Sequence, residues 1–297
     1  MFEYTSIADL VDLAEKLHSP ISKIVLQREA EEYEVTTTQV IAKMQSRLKV
    51  FAHSIKDGLY DDRLSVSGMV GKDAKRIENM PPLVLGNIAH RALLYALAVS
   101  EGNAKMHKIV ACPTAGSCGI VPGAVFAVGE AKGASNEKYC DAFFTAAGIG
   151  NIIAKNACVA GAVGGCQAEC GTAAAMAAAA VTNILGGSNE QITHAAALAL
   201  KNTLGLVCDP VAELVEVPCV KRNGFHAVHA LTAAEMAMAG IKSFIPPDEV
   251  ISAMYKIGRL LPVSLKETSE GGLAKTPTAC QLQKELQHKN NLHTKLQ

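Results

Sequence analysis

The sequence predicts an all-α protein, a compact multi-helix domain around a buried core rich in Gly and Ala. Three observations predict this class. Apolar residues recur every three to four positions, no segment alternates like a strand, and small residues crowd the middle of the chain. Positions 157–180 hold 11 Ala and 4 Gly. With only 4% aromatic residues, the composition favours closely packed helices over a β-sandwich.

The N-terminal third is predicted to form amphipathic helices. Thr5 or Ser6 can cap the first, and Pro20 precedes the second. Approximate bounds of the predicted helices are 6–18, 21–34, 37–58 and 83–99. Residues 60–82 contain two Gly and two Pro and are predicted to be a long ordered loop. A functional role and a surface connection are both open for this loop.

The second half is predicted to hold a central buried helix at 167–185, ended by Gly186-Gly187. Further predicted helices run over 188–203, 224–240 and 247–260. We expect one all-helical domain over 1–275 and a polar, frayed C-terminal tail over 276–297.

The charge balance excludes several classes of partner. There are 28 Lys and Arg against 28 Asp and Glu among 297 residues. This gives no electrostatic basis for binding nucleic acid or an acidic membrane surface. No apolar run is long enough to span a membrane, and the N-terminal residues lack the features of a secretory signal. We therefore expect a cytoplasmic protein whose cysteines are thiols or metal ligands.

Nine cysteines are present and none forms a CxxC pair. This argues against a zinc finger, a thioredoxin-like site and a ferredoxin-type run. Cys166 and Cys170 lie one helical turn apart, so both can face the same side. Cys208 and Cys219 each stand close to a Pro, which favours a position outside regular helix. For any single cysteine, spacing alone favours a buried structural thiol.

The segment PTAGSCG at 113–119 resembles an anion-binding turn at a helix start. Thr114 and Ser117 offer hydroxyls, and Gly116 lets backbone N–H groups approach a carboxylate. The alternative is an ordinary helix cap that needs only Ser117.

Residues 220–223 follow Cys219 directly, which places Lys221 and Asn223 near any site that uses this thiol. For Arg222 we favour a solvated start of the next helix. His226 and His229 are predicted to be helix-face histidines with ordinary partners rather than ligands.

Three strings carry a resemblance to a known family. They are ACPTAGSCGIVPG, GGCQAE and LKNTLGLVCDPVAELVEVPCVKRN. They closely resemble the α chain of bacterial iron–sulfur-dependent L-serine dehydratase in its two-chain form, and the resemblance extends from the first helix to about Thr278. It implies an all-helical α domain that converts L-serine to pyruvate and ammonia without pyridoxal phosphate. It also implies a partner β chain that carries a Ser-Ser-Ser-His-Thr motif, a string absent from this sequence.

The resemblance assigns a 4Fe–4S cluster to three matching thiols, Cys166, Cys208 and Cys219, with one iron left open. In that interpretation the open iron acts as a Lewis acid on the serine hydroxyl. The proposed substrate-binding and catalytic residues are Thr114, Gly116, Ser117, Asn223 and Lys221. Lys221 serves as the base only if burial lowers its pKa, and a His of the partner chain is an equal candidate. Hydrogen bonds to the sulfurs are expected from the backbone at 164–165 and from Gln167 or Asn223.

The sequence departs from the family pattern at three places. Glu213 stands where family members usually have Gly, and Lys72 stands in a loop that usually has consecutive glycines. Gly224-Phe225-His226 replaces a stretch that is typically small and apolar.

Three other interpretations remain open from sequence. One is a related cluster enzyme that eliminates sulfide from cysteine. Another is a helical thiol protein that binds zinc without turnover. The third is a degenerate α chain that stabilises a complex without catalysis.

Overall fold

A computed structural model describes residues 2–294 and confirms the all-α class. Within that range there are thirteen α-helices and no strand, with one isolated parallel bridge between Cys208 and Lys266. The helices are α1 (Ile7–Lys16), α2 (Ile21–Glu32), α3 (Thr37–Tyr60), α4 (Asp73–Glu78), α5 (Asn87–Ala104), α6 (Ile120–Lys132), α7 (Asn136–Asn156), α8 (Gly161–Gly164), α9 (Thr172–Ile184), α10 (Asn189–Lys201), α11 (Cys219–Met238), α12 (Pro247–Leu260) and α13 (Pro277–Thr294). Among the described residues, no helix is both long and apolar enough to cross a membrane.

Local sequence signals account for several helix starts. Ser6, Thr36 and Ser188 cap α1, α3 and α10, each in a reciprocal capping box with the third helical residue. α12 has the predicted bounds. α5 begins four residues later than expected because Gly86 is its N-cap, in extended conformation.

Two C-terminal expectations differ from the structure. α11 begins at Cys219, five residues before the predicted start. The segment expected to be a frayed tail forms α13 up to Thr294, and its Ala279 is buried. The remaining residues 295–297 of that tail lie outside the described range.

The core is organised around α9, in which all thirteen residues are buried. α6, α7, α10 and α11 pack around it. Close approach depends on residues without bulk. A Cβ at Gly150 of α7 would lie 2.7 Å from the Met176 sulfur of α9, and one at Gly123 of α6 would lie 2.8 Å from the Ala96 nitrogen of α5. The small-residue excess is therefore a packing requirement between helices.

Four irregular segments meet at the start of α9. They cover 105–119, 157–171, 202–218 and 261–276. Backbone hydrogen bonds join them: Gln167 donates to Leu206 at 3.0 Å, and Cys208 donates to Leu265 at 2.9 Å. A π-helical turn, Gln167–Gly171, leads from the second segment directly into α9. This end of the domain holds the predicted site residues.

Candidate active site

Cys166 lies directly after a glycine that turns the chain. Gly165 has a φ of 76°, and a Cβ there would lie 2.9 Å from the carbonyl oxygen of Leu206. Only glycine fits both conditions. The π-helical turn that follows brings the Cys166 Sγ to 3.3 Å from the Cys170 Sγ, and both thiols are buried. The prediction that these two residues share a side is confirmed.

Cys208 lies in an extended segment that pairs with the chain before α13. Its N–H donates to Leu265 at 2.9 Å, and its carbonyl accepts from the N–H of Glu267 at 2.8 Å. A Cβ at Gly161 would lie 3.0 Å from the Cys208 sulfur. The thiol is thus buried between backbone on two sides, outside regular helix as expected.

Cys219 is the first residue of α11, so the expectation that it lies outside regular helix is wrong. Because Cys219 lies in the first turn, the helix itself supplies no carbonyl partner for its N–H. Like Cys166 and Cys208, it is buried.

The three thiols assigned by the resemblance lie close enough to interact electrostatically in every pairing. Burial raises the pKa of Cys219 to about 12 and also raises the pKa of Cys208. The hydrogen bond with Cys170 lowers the pKa of Cys166, and the positive charge of Arg222 acts in the same direction. Three segments distant in sequence therefore contribute sulfur to one buried region.

Two carboxylates lie beside the Cys208 thiol. Ligand atoms of Glu169, Cys208 and Glu267 all lie within 4.8 Å of one another. Burial raises the pKa of Glu169, while a hydrogen bond with Thr114 opposes that shift. A carboxylate and thiol group of this kind is able to hold a metal ion or a cationic group.

The PTAGSCG loop reaches the same region. The hydroxyl oxygens of Thr114 and Ser117 lie 3.1 Å apart. The Thr114 side chain also interacts with the carboxyl group of Glu169. A Cβ at Gly116 would meet the Glu169 carboxylate at 3.4 Å. Ser117 is completely buried, whereas Thr114 is only half-buried. The hydroxyls predicted to bind a carboxylate thus lie next to the acidic group and the thiols.

Asn223 connects this loop to α11. Its Oδ1 accepts from the Gly119 N–H at 2.9 Å, and its Nδ2 donates to the carbonyls of Gly116 and Cys219 at 2.8 and 2.9 Å. Both side-chain donors are therefore occupied by backbone. Asn223 positions the loop; neither donor is free for a substrate or a sulfur.

Gln167 also bonds backbone rather than sulfur. Its Nε2 donates to the carbonyls of Gly164 and Met254 at 2.9 and 3.1 Å, and its Oε1 accepts from Gly205 at 2.9 Å. The expected side-chain hydrogen bonds from Gln167 and Asn223 to the cluster sulfurs are absent from the described residues. These two amides instead hold the irregular segments together.

Lys221 points to the first residue of α4, a short helix inside the segment 60–82 that the sequence predicts to be a loop. Its Nζ lies 2.6 Å from Asp73, and 48% of its side chain is exposed. Lys221 is therefore not buried, and burial is the condition under which it could act as the base. The loop itself is docked by Glu216, whose Oε2 accepts hydrogen bonds from Ser65 and Ser67.

Arg222 is not the solvated residue that the sequence favoured. Its guanidinium lies 2.9 Å from the Asp209 carboxylate, with 17% of the Arg222 side chain and 4% of the Asp209 side chain exposed. Its positive charge also acts on the nearby Cys166 thiol. The prediction for His229 is supported, because its Nε2 bonds the carbonyl of Ala199 at 2.9 Å.

Sequence reasoning missed Glu169, Glu267 and Asp209. Glu169 ends the string GGCQAE and stands three residues after a proposed ligand, a signal that was available. Glu267 lies 59 positions after Cys208 in an unremarkable polar stretch. Only the pairing of that stretch with the Cys208 segment brings its carboxylate to the site.

Fold and site together define an all-helical protein with a buried multi-thiol site, next to a hydroxyl-bearing loop and two carboxylates. Residues 16–274 match the family described as serine dehydratase alpha chain. The chain belongs to that family, and the resemblance stated from sequence is confirmed.

Relatives in this family span nearly the whole chain. A protein of Bacillus subtilis (strain 168) named "Probable L-serine dehydratase, alpha chain" is 44% identical over 286 residues, which is 95% of each chain. The L-serine dehydratase alpha chain of Peptoniphilus asaccharolyticus is 38% identical over 280 residues, 93% of this chain and 96% of that one. The L-serine dehydratase of Helicobacter pylori (strain J99 / ATCC 700824) is 34% identical over 286 residues, which is 93% of this chain but only 62% of the longer relative.

Proposed function

We propose that this chain, with a partner β chain, is a lyase that converts L-serine to pyruvate and ammonia by β-elimination. A 4Fe–4S cluster held by Cys166, Cys208 and Cys219 is the cofactor of this proposal, without pyridoxal phosphate. The observation that carries it is the convergence of these three buried thiols, from three segments, beside Glu169. The names of the relatives supply the reaction.

The donor set fits such a cluster. Thiolates are the protein ligands that iron–sulfur clusters use, and all three sulfurs are buried and mutually close. Cys170 lies outside the ligand set that the resemblance assigns, although its sulfur contacts the Cys166 sulfur at 3.3 Å. When bound, the cluster supplies an iron without a protein ligand, which polarises the serine hydroxyl as a Lewis acid.

The chain's own residues suit the two charged ends of a zwitterionic amino acid. Thr114, with the backbone around Gly116 and the hydroxyl of Ser117 behind it, binds the substrate carboxylate in this proposal. Glu169 and Glu267 offer carboxylate oxygens to the ammonium group. A neutral chain needs no charged funnel for such a substrate.

Removal of the α-proton needs a base within hydrogen-bond reach. Lys221 is the candidate of this chain, but its ammonium is paired with Asp73 at 2.6 Å. This pairing favours a base from the partner chain.

The test is anaerobic co-expression with a serine dehydratase β chain, followed by iron and labile sulfide analysis and a serine-to-pyruvate assay. We expect a brown complex that loses activity in air. Cys166→Ser, Cys208→Ser or Cys219→Ser should abolish activity, whereas Cys140→Ser, at an equally buried thiol, and Cys280→Ser should retain it. Equal losses at all five positions would contradict the ligand set.

The same preparation separates the other interpretations. Faster pyruvate formation from L-cysteine than from L-serine would indicate a desulfidase. Zinc without labile sulfide, and no turnover, would indicate the thiol protein.

A further inference from the structure

One side chain contacts the segments of all three proposed ligands. The Arg222 Nη1 donates to the carbonyl of Val207 at 2.9 Å, and its Nη2 donates to the Asp209 carboxylate at 2.9 Å. These two residues flank Cys208 on either side. The charge of the same guanidinium interacts with the Cys166 thiol, and Arg222 itself follows Cys219 by one turn of α11.

The guanidinium is held firmly in this place. Asp209 is buried, and its second carboxylate oxygen accepts the N–H of Leu273 at 2.8 Å. A Cβ at Gly272 would lie 2.8 Å from the Asp209 Cβ, so the segment before α13 closes over the pair. The ion pair therefore links α11 to two of the irregular segments.

We propose that Arg222 is a positioning residue, which sets the relative placement of Cys166, Cys208 and Cys219 and directs N–H donors at the cluster sulfurs. This inference rests on the cluster of the proposed function. Groups that hydrogen-bond to metal ligands orient those ligands and tune the bound metal. The planar fork of Arg reaches three partners at once, whereas a Lys ammonium is a point charge on a flexible stem.

The geometry also explains why a cation is tolerated here. Asp209 balances the Arg222 charge, so the pair is neutral as a unit. Three thiolates and a cluster place additional negative charge nearby, and N–H groups aimed at sulfur stabilise it. Loss of the guanidinium should weaken cluster retention and disfavour addition of an electron.

The experiment uses the α–β complex prepared anaerobically, with Arg222→Lys and Arg222→Gln as test variants. Arg259→Lys is the matched control, because Arg259 lies on the exposed side of α12 and its Nη1 bonds only Tyr255 at 3.3 Å. The readouts are urea unfolding of the α chain, the rate of iron release to a chelator, and the midpoint potential of the cluster.

We expect iron release about 10- to 100-fold faster in Arg222→Lys and Arg222→Gln than in wild type. The midpoint potential should move to more negative values in Arg222→Gln, and less so in Arg222→Lys, which keeps the charge. Arg259→Lys should match wild type in urea unfolding, iron release and midpoint potential. Asp209→Asn keeps the size of the side chain that pairs with Arg222, and it should speed iron release by a smaller factor. This variant replaces the Arg222 variants as the test if those fail to fold.

Wild-type iron release and an unchanged midpoint potential in a folded Arg222→Gln complex would overturn the inference. So would wild-type iron release in Asp209→Asn if the Arg222 variants do not fold. A wild-type complex without iron and sulfide is a different result, because it refutes the proposed function itself, and this inference falls with it.

Discussion

The interior around α9 and the thiol site at its N-terminal end keep their shapes by different means. In the interior, helices approach at residues that lack bulk, and the contacts are between Ala, Gly and aliphatic side chains. At the site, the chain is irregular, and buried polar side chains hold it through hydrogen bonds to backbone. The three clearest are Gln167, Asn223 and Arg222.

This difference determines what each region cannot tolerate. An added methyl group in the interior has no space, because close-packed cores relax only in part. At the site, a lost hydrogen bond leaves a buried backbone group without a partner. Added bulk should therefore harm the interior most, while changed polarity or backbone conformation should act most at the site.

The largest expected effect comes from Gly58→Ala in α3. A Cβ at this position would overlap the backbone carbonyl of Ala98 in α5, which is unable to move without shifting that helix. We expect a loss of about 3 kcal/mol in the free energy of unfolding, measured by urea denaturation of the α chain.

Gly86→Ala is the matched control for that substitution. No atom lies within 4 Å of a Cβ at Gly86, and its φ of −63° is ordinary for any residue. Its stability should change by less than about 1 kcal/mol, because Ala is a poorer N-cap than Gly while its lower unfolded-state entropy acts in the opposite direction. Equal losses in the two variants would show that packing at the α3–α5 contact is not limiting.

Helix α11 belongs to both regions, and His226 lies where they join. Burial lowers the pKa of His226 to about 4 from 6.5, with the charges of His229 and Arg222 acting in the same direction. As the pH falls below 6.5, the unfolded chain takes up the proton first, so stability present at neutral pH is lost down to about pH 4.

Wild type should lose about 2 kcal/mol between pH 7 and pH 4.5 through this group. His226→Gln should lose correspondingly less over the same interval in urea unfolding of the α chain. Between pH 7 and pH 8 the imidazole is neutral in both states, so variant and wild type should respond alike. The same acid response in both proteins would contradict the assignment.

Sequence alone predicted the interior better than the site. Helical periodicity and the small-residue run anticipated α9 and its burial, because these patterns are local. The prediction that Cys166 and Cys208 lie close together came from the family resemblance, because spacing along the sequence does not determine distance in the folded protein. Arg222 was misjudged and Glu267 was missed because each gains its role from a segment distant in sequence.

The smallest expected effect is a gain in stability at the site, from Glu213→Gly. Glu213 has a φ of 63°, in the left-handed region, and its side chain is exposed. The family resemblance implies Gly at this position, and the positive φ gives a physical reason for it. A left-handed conformation costs a residue with a Cβ about 1–2 kcal/mol, while Gly adds about 0.5–1 kcal/mol of unfolded-state entropy.

The net result should be a stabilisation of about 0.5–1 kcal/mol by urea unfolding, because the Glu213 N–H still donates to Ser269 at 3.1 Å. Glu270→Gly is the matched control: Glu270 is also exposed but has no positive φ. At Glu270 only the larger unfolded-state entropy of Gly acts, so this variant should be less stable than wild type. Opposite signs at these two glutamates would establish that backbone conformation limits stability at the site, whereas a loss at both would mean that the Glu213 side chain makes contacts worth more than the strain it imposes.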